Sequence, residues 1–162
     1  MSIVNKVLTL FLGNKEERDL KDINPFVGKI LKESELVTSL SNDALRERTA
    51  ELRREIRETI AEEEKQIADL RTEAEKEEDV NRKEDLYNQV DKFEKDILAK
   101  LEGKLDEILP VAFAIVKETA RRFKENEVLE VTAREWDRNL AATRPSITVE
   151  GDKAYWKNRW MA

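Results

Sequence analysis

The chain has 162 residues, with 36 acidic and 30 basic side chains and a net charge of −6 at pH 7. It contains neither His nor Cys, which excludes Ser-His-Asp and Cys-His catalytic systems, the usual zinc sites and disulfide bonds. Gly and Pro together supply only seven residues, and this composition favours long helices over a turn-rich β-sandwich or barrel.

Residues 2–12 are predicted to form an amphipathic helix, because apolar side chains recur at helical spacing and Gly13 follows as a stop. The apolar positions are Ile3, Val4, Val7, Leu8 and Phe11. Two interpretations stay open. The segment is either a short helix docked on its own core, or an interfacial helix for a membrane or a partner, with Lys6, Lys15 and Arg18 as its flanking cations.

A second helix is predicted over residues 16–38. Pro25 falls inside it, and proline removes a backbone donor and clashes with the preceding turn. The sequence therefore predicts a kink or a restart there, with Asn24 as N-cap and Pro25 in the first helical position.

Two narrow apolar stripes predict a long, highly charged antiparallel helical hairpin. The first helix is expected over about 43–78, roughly 54 Å long at 1.5 Å per residue, and a turn is expected at 79–81. The first stripe comprises Leu45, Thr49, Leu52, Ile56, Ile60, Ile67, Leu70 and Ala74; the second comprises Leu86, Val90, Phe93, Ile97 and Leu101. The acidic runs are interpreted as solvated faces.

A third helical region is predicted over 105–126, with Gly103 as a break or kink and Pro110 in the true first turn. Its apolar face is the widest in the chain, so it is expected to be the best-buried helix. That face comprises Leu105, Ile108, Leu109, Ala112, Phe113, Val116, Ala120 and Phe123.

The composition changes after residue 126. Thr132 followed by Glu135 has the form of a capping box, which predicts a short helix to about Ala142. Residues 147–150 and 153–156 predict a β-hairpin with a Gly151-x turn suited to type II′. An isolated hairpin is only marginally stable, so it should dock on another element. The aromatic final residues favour an interior segment that has been cut, with an aromatic tail that binds a partner as the alternative.

The predicted fold is mainly α, with extended helices, the long antiparallel hairpin and a small C-terminal β-hairpin. The expected divisions are docking helices at 1–38, the charged hairpin at 39–104, a buried helix at 105–126, and a short helix with β-hairpin at 127–162. The sequence indicates no catalytic or metal-binding residue. The four glycines do not have the spacing of a phosphate loop or of a dinucleotide fingerprint.

Three segments carry a resemblance to a known family. Residues 40–51 (LSNDALRERTAE) and 108–122 (ILPVAFAIVKETARR) are similar to two N-terminal stretches of SecA, and residues 6–20 (KVLTLFLGNKEERDL) resemble the start of that family. SecA is the cytosolic ATPase that pushes unfolded secretory proteins through the SecY channel. The resemblance implies an N-terminal segment of such a protein, whose β-hairpin begins a truncated α/β motor domain.

The resemblance also implies partners and a docking site. In the family the first helix is associated with acidic phospholipid, with channel docking and with the dimer interface. Carried over, the docking residues are Ile3, Val4, Lys6, Val7, Leu8, Phe11 and Lys15. The implied partners are the SecY complex, acidic phospholipid, preproteins and the ribosome, with a possible homodimer and no specific nucleic acid. The implied location is the cytoplasmic face of the inner membrane.

Catalysis is not expected from this segment alone. ATP and Mg²⁺ belong to the full-length family, and no nucleotide-binding residue can be carried over to this chain. The sequence also departs from the family pattern: Val111 replaces a usual Glu, and about 60–100 and 126–162 look like insertions. A different hypothesis stays open, in which the chain is a stand-alone helical-hairpin adaptor that self-associates. A third is a peripheral protein that binds anionic lipid through residues 2–12.

Overall fold

The computed structural model describes residues 15–158 of the chain, with side chains from residue 19 onward. Four helices and three strands follow one another in the described part. They are α1 (Lys15–Thr38), α2 (Asn42–Lys76), α3 (Val80–Glu125), β1 (Val128–Thr132), α4 (Glu135–Ala141), β2 (Ile147–Glu150) and β3 (Lys153–Lys157). The prediction of a mainly α chain with a small C-terminal β-structure is therefore confirmed.

Helix α1 is continuous, so the predicted restart at Asn24 is wrong. The helix begins at Lys15, and Pro25 lies inside it. Proline at this position removes one backbone hydrogen bond, and the buried or half-buried apolar side chains of the helix all follow it. These side chains are Phe26, Ile30 and Val37.

The helices α2 and α3 form the predicted hairpin, joined at Glu77–Asp79 rather than at 79–81. Asp79 caps the second helix, because its Oδ1 atom accepts hydrogen bonds from the backbone N–H groups of Asn81 (2.8 Å) and Arg82 (3.1 Å). Every residue of both predicted stripes is buried or half-buried. The predicted hairpin core is confirmed.

Two predictions about α3 are wrong. The helix breaks neither at Gly103 nor at Pro110 and runs for 46 residues. Leu101, Ile108 and Ile115 follow one another at seven-residue spacing, so one buried side continues through both positions. The apolar face predicted for this region is only partly covered, since Leu105, Phe113 and Val116 are 49%, 55% and 67% exposed. Its buried side carries the charged residues Glu118 and Arg122 instead.

The C-terminal strands form a three-stranded antiparallel sheet in the order β1-β3-β2. The predicted β2–β3 hairpin is confirmed, and Gly151 has the positive φ of 59° that a type II′ turn requires at its first central position. The sequence analysis missed β1. It pairs with β3 from Val128 opposite Lys157 to Thr132 opposite Lys153, and so supplies the docking partner that the hairpin needed.

Helix α4 begins at Glu135, and its N-cap is Arg134 instead of Thr132. Thr132 is the last residue of β1, so its backbone is committed to the sheet. The side chain that reaches back over the first turn is that of Asp137, which accepts a hydrogen bond from the backbone N–H of Arg134 at 2.9 Å. The predicted helix is present, with a different capping pair.

The chain divides into two compact units. The first combines residues 1–41 with 113–162, and the second is the hairpin of residues 42–112. Within the part of the chain that the structure describes, no helix is long and apolar enough to cross a membrane.

Candidate functional site

The predicted docking residues lie mostly outside the described part of the chain. Ile3, Val4, Lys6, Val7, Leu8 and Phe11 all precede it, and so does the predicted helix over 2–12. The backbone of Lys15 begins α1, while its side chain lies outside the described set. The docking prediction therefore stays a prediction.

Helix α1 continues from that segment and presents an exposed apolar stripe. At 100° per residue, positions separated by three or four residues lie on one side of a helix. Leu20, Ile23, Val27 and Leu31 have this spacing and are 43–55% exposed. Single exposed apolar residues are ordinary, but four consecutive stripe positions on one helix indicate an interaction surface.

A buried charge cluster fastens the C-terminal end of α1 to α3. Glu118 on α3 is 4% exposed, and its Oε1 atom accepts a hydrogen bond from Arg122 Nε at 2.7 Å. Arg122 Nη2 donates in turn to the backbone carbonyl of Leu40, just after α1, at 2.7 Å and to that of Val37, in the last turn of α1, at 3.4 Å. Carbonyls at a helix C-terminus lack partners within the helix, and an arginine is well suited to satisfy them. The cluster thus ties the segment that follows α1 to α3.

Arg121 completes the cluster from the more exposed side. Its Nε and Nη2 atoms donate to Oε2 and Oε1 of Glu118 at 2.8 and 2.7 Å, a bidentate arrangement. These hydrogen bonds, followed by those from Arg122, outweigh burial and lower the pKa of Glu118 to about 2. The same carboxylate raises the pKa of Arg121. Glu118 is therefore fully ionised at neutral pH.

Asp137 is the second buried carboxylate, and it joins α4 to the sheet. It is fully buried. Its Oδ2 atom accepts from the Arg134 backbone, and its Oδ1 atom accepts from the indole N–H of Trp156 on β3 at 3.1 Å. Trp136 stacks on Trp156 with ring centroids 5.3 Å apart, and Arg138 donates to the carbonyl of Gly151 at 2.8 Å. Helix α4 is thereby held to strand β3 and to the turn of the hairpin.

Ion pairs line the antiparallel helices of the second unit. Pairs between the helices are Glu55–Lys104 at 3.0 Å, Glu63–Lys100 at 2.5 Å and Arg71–Glu94 at 2.7 Å. The hydrogen bond from Lys104, followed by that from Arg48, lowers the pKa of Glu55. Successive pairs run forward along α2 and backward along α3, which fixes the antiparallel register. These ion pairs support the pairing of the two helices and indicate no further function.

An open cleft of about 380 Å³ lies between these helices. It is lined by Thr59, Ala99, Lys100, Gly103, Lys104 and Glu107. Both lysines already contact carboxylates of the same unit, so the cleft offers no free charge for a ligand. Among the side chains described, no group of three or more Asp and Glu residues is arranged to hold a metal ion.

Sequence reasoning missed both buried carboxylates. Glu118 precedes Arg122 by one helical turn, within a helix that was predicted to be buried. That i,i+4 pair was the available signal. No local signal marked Asp137 as the partner of Trp156, because the two residues meet only when the sheet forms.

Comparisons with known proteins agree with the resemblance noted in the sequence. The family model described as SecA DEAD-like domain matches residues 8–137. The chain is 47% identical over 158 residues to the protein translocase subunit SecA of Bacteroides fragilis, with 98% of this chain and 14% of the relative aligned. It is 42% identical over its full length to SecA of Flavobacterium psychrophilum, again covering 14% of that protein.

A third relative, SecA of Amoebophilus asiaticus, is 48% identical over 157 residues. No solved structure gives a significant match to the chain. The chain spans about 14% of the length of the curated relatives it matches. The family model covers well over half of the chain, and the chain therefore belongs to the SecA DEAD-like family.

Proposed function

We propose that this chain serves as the docking and scaffold segment of a SecA-type preprotein translocase. The observation that carries the proposal is the family match over residues 8–137, together with relatives that are named as translocase subunits. In this proposal the complete protein works at the cytoplasmic face of the inner membrane, and it couples ATP hydrolysis to protein export through the SecY channel. Preproteins are its substrates.

Docking is assigned to the N-terminal stretch. Ile3, Val4, Val7, Leu8 and Phe11 would enter an acidic phospholipid surface or the channel complex, while Lys6 and Lys15 would meet anionic groups. The exposed stripe on α1 supports this assignment, since it extends apolar surface beyond the first segment. The ribosome and a second copy of the protein are further partners implied by the family resemblance.

The scaffold role is assigned to the first unit. The sheet and α4 would form the beginning of an α/β motor domain, and the family match extending to residue 137 supports this placement. The charge cluster of Glu118, Arg121 and Arg122 would keep the end of α1 in a fixed position relative to that domain. ATP and Mg²⁺ would bind to parts of the relatives that this chain does not contain.

The experiment is a phosphate-release assay on the purified 162-residue chain with ATP and Mg²⁺. The proposal predicts no hydrolysis above buffer, because the sequence has no Gly-rich phosphate loop to hold the β- and γ-phosphates. Full-length Bacteroides fragilis SecA serves as the positive control. Turnover by the isolated chain that survives repeated purification would contradict the non-catalytic assignment.

A further inference from the structure

Helix α3 carries an exposed apolar stripe within the hairpin unit that the hairpin core does not use. Val80, Tyr87, Leu98 and Leu105 are 76%, 45%, 67% and 49% exposed. All four belong to the compact unit of residues 42–112. They span about 38 Å at 1.5 Å per residue, which is nearly the full length of the hairpin part of the helix.

The four residues lie on one side of α3. They are separated by seven, eleven and seven positions, and at 100° per residue these steps return to within about 20° of the same direction. The residues that pack toward α2 lie on a different side of the helix. Leu86 and Val90 are buried there, and Phe93 is half-buried. The exposed stripe, which we name the outer stripe, therefore lies apart from the hairpin core, and acidic residues stand between its apolar residues along α3.

The outer stripe sits in a negatively charged environment. Residues 42–112 contain 22 acidic and 14 basic side chains, a net charge of −8, although the whole chain has only −6. Glu84, Asp91 and Glu102 are exposed beside the stripe, and none of them forms an ion pair within the described residues. Lys83 and Lys95 are the basic side chains on the same side of the helix.

We propose that the outer stripe is a docking surface for a cationic amphipathic helix of a partner protein. Apolar residues at seven- and eleven-residue spacing complement a helix laid alongside α3, because that is the periodicity of helices packed in coiled coils. The net charge of −8 attracts a helix with Lys or Arg beside its apolar face and repels an acidic one. A second copy of this hairpin carries the same charge, so it is disfavoured as the occupant.

The test uses a synthetic 18-residue helical peptide of Leu and Lys, labelled with fluorescein and titrated with the 162-residue chain. Fluorescence anisotropy measures the Kd. The double variant Tyr87→Ser/Leu98→Ser removes apolar contacts and leaves every charge in place. We expect this variant to bind the peptide at least about tenfold more weakly. The reason is that the exposed apolar side chains of Tyr87 and Leu98 no longer contribute contact area.

The matched control is Asn88→Ser/Gln89→Ser, which changes two exposed polar residues of the same helix and should leave the Kd unchanged. Circular dichroism checks that all variants keep their helical content. A peptide of Leu and Glu with the same pattern should not bind. Equal binding by the Tyr87→Ser/Leu98→Ser variant would overturn the proposal, since charge alone would then explain the affinity.

Two further results would also overturn it. Equal affinity for the Leu/Glu peptide would remove the requirement for a cationic partner. A dimer of the unmodified chain in sedimentation, dissociated by Tyr87→Ser/Leu98→Ser, would identify a second copy as the occupant. A monomer at high micromolar concentration that binds the Leu/Lys peptide through the outer stripe is the result the proposal expects.

Discussion

Two buried carboxylates determine how the first unit holds together. Glu118 and Asp137 are both nearly or fully excluded from water, where an isolated charge would be costly. Each carboxylate is tolerated in the interior because several hydrogen-bond donors converge on it. Glu118 receives two arginines, and Asp137 receives a backbone N–H and an indole N–H. Removing either carboxylate would leave those donors without partners, which is usually more costly than the net worth of the pair.

We predict that Glu118 makes the first unit sensitive to acid. Its pKa of about 2 lies below the ordinary value of 4.5, so its contribution is complete above about pH 4.5 and is lost as the pH falls toward 2. Glu118→Gln should lower the free energy of unfolding at pH 7 by about 2 kcal/mol and flatten its decline below pH 4.5. Urea unfolding followed by tryptophan fluorescence measures this, because Trp136 and Trp156 both belong to the first unit.

The matched control for that variant is Glu125→Gln. Glu125 also pairs with Arg121, but it is exposed, so its removal should change the free energy of unfolding by well under 1 kcal/mol. Identical pH profiles for the unmodified chain and Glu118→Gln would show that the buried cluster does not contribute as described.

Asp137→Ala should destabilise the first unit by about 2–4 kcal/mol, because it leaves the Arg134 N–H and the Trp156 indole N–H unsatisfied. Asn139→Ala, an exposed change on the same helix, provides the comparison. The urea midpoint by tryptophan fluorescence is again the measurement. An Asp137→Ala midpoint within error of that of Asn139→Ala would exclude a structural role for the carboxylate.

At the scale of secondary-structure elements, the helices continue through residues that usually end a helix. Pro25, Gly103 and Pro110 each carry a local signal for a helix end, and the structure continues through all three. In α3 the buried positions keep one side across Gly103 and Pro110, so an interruption would remove Ile108 or Ile115 from the buried side. Packing thus overrides a local cost of about 1 kcal/mol for glycine.

Gly103→Ala should therefore stabilise the chain by about 0.5–1 kcal/mol. A Cβ atom at this position meets nothing within 4 Å, and alanine restricts the unfolded chain more than glycine does. Thermal unfolding followed by circular dichroism should show a raised midpoint. Gly151→Ala is the contrasting variant, because its φ of 59° is unfavourable for alanine and should lower the midpoint. A lowered midpoint for Gly103→Ala would show that α3 needs flexibility at that residue.

The secondary-structure elements differ in how well they can be predicted from the sequence. The hairpin was predictable because two stripes repeat at helical spacing, one from Leu45 to Ala74 and the other from Leu86 to Leu101, and a turn was expected between them. Strand β1 was not, since VLEVT is too short and too exposed to stand out before its pairing with β3 is known. The apolar face predicted along 105–126 is only partly buried, because an apolar residue such as Val116 does not reveal which side of its helix is covered.

At the scale of the whole molecule, the distribution of charge and the family membership support the proposed function. The hairpin unit has a net charge of −8, while the rest of the chain has +2. The family was identifiable from three short stretches because they carry specific residue orders, which composition and periodicity do not supply. The docking residues were predicted from the same resemblance, and all of them except Lys15 precede the described part of the chain.

The most direct test of the docking role is co-flotation of the chain with vesicles that contain acidic phospholipid. The complete 162-residue chain is compared with one that lacks residues 2–12 and with the variant Lys6→Glu/Lys15→Glu, which preserves the apolar positions. The account predicts that the complete chain floats with acidic vesicles at low salt, that the deletion abolishes flotation, and that the charge variant weakens it about tenfold or more. Equal flotation by the complete chain and the deletion would contradict it.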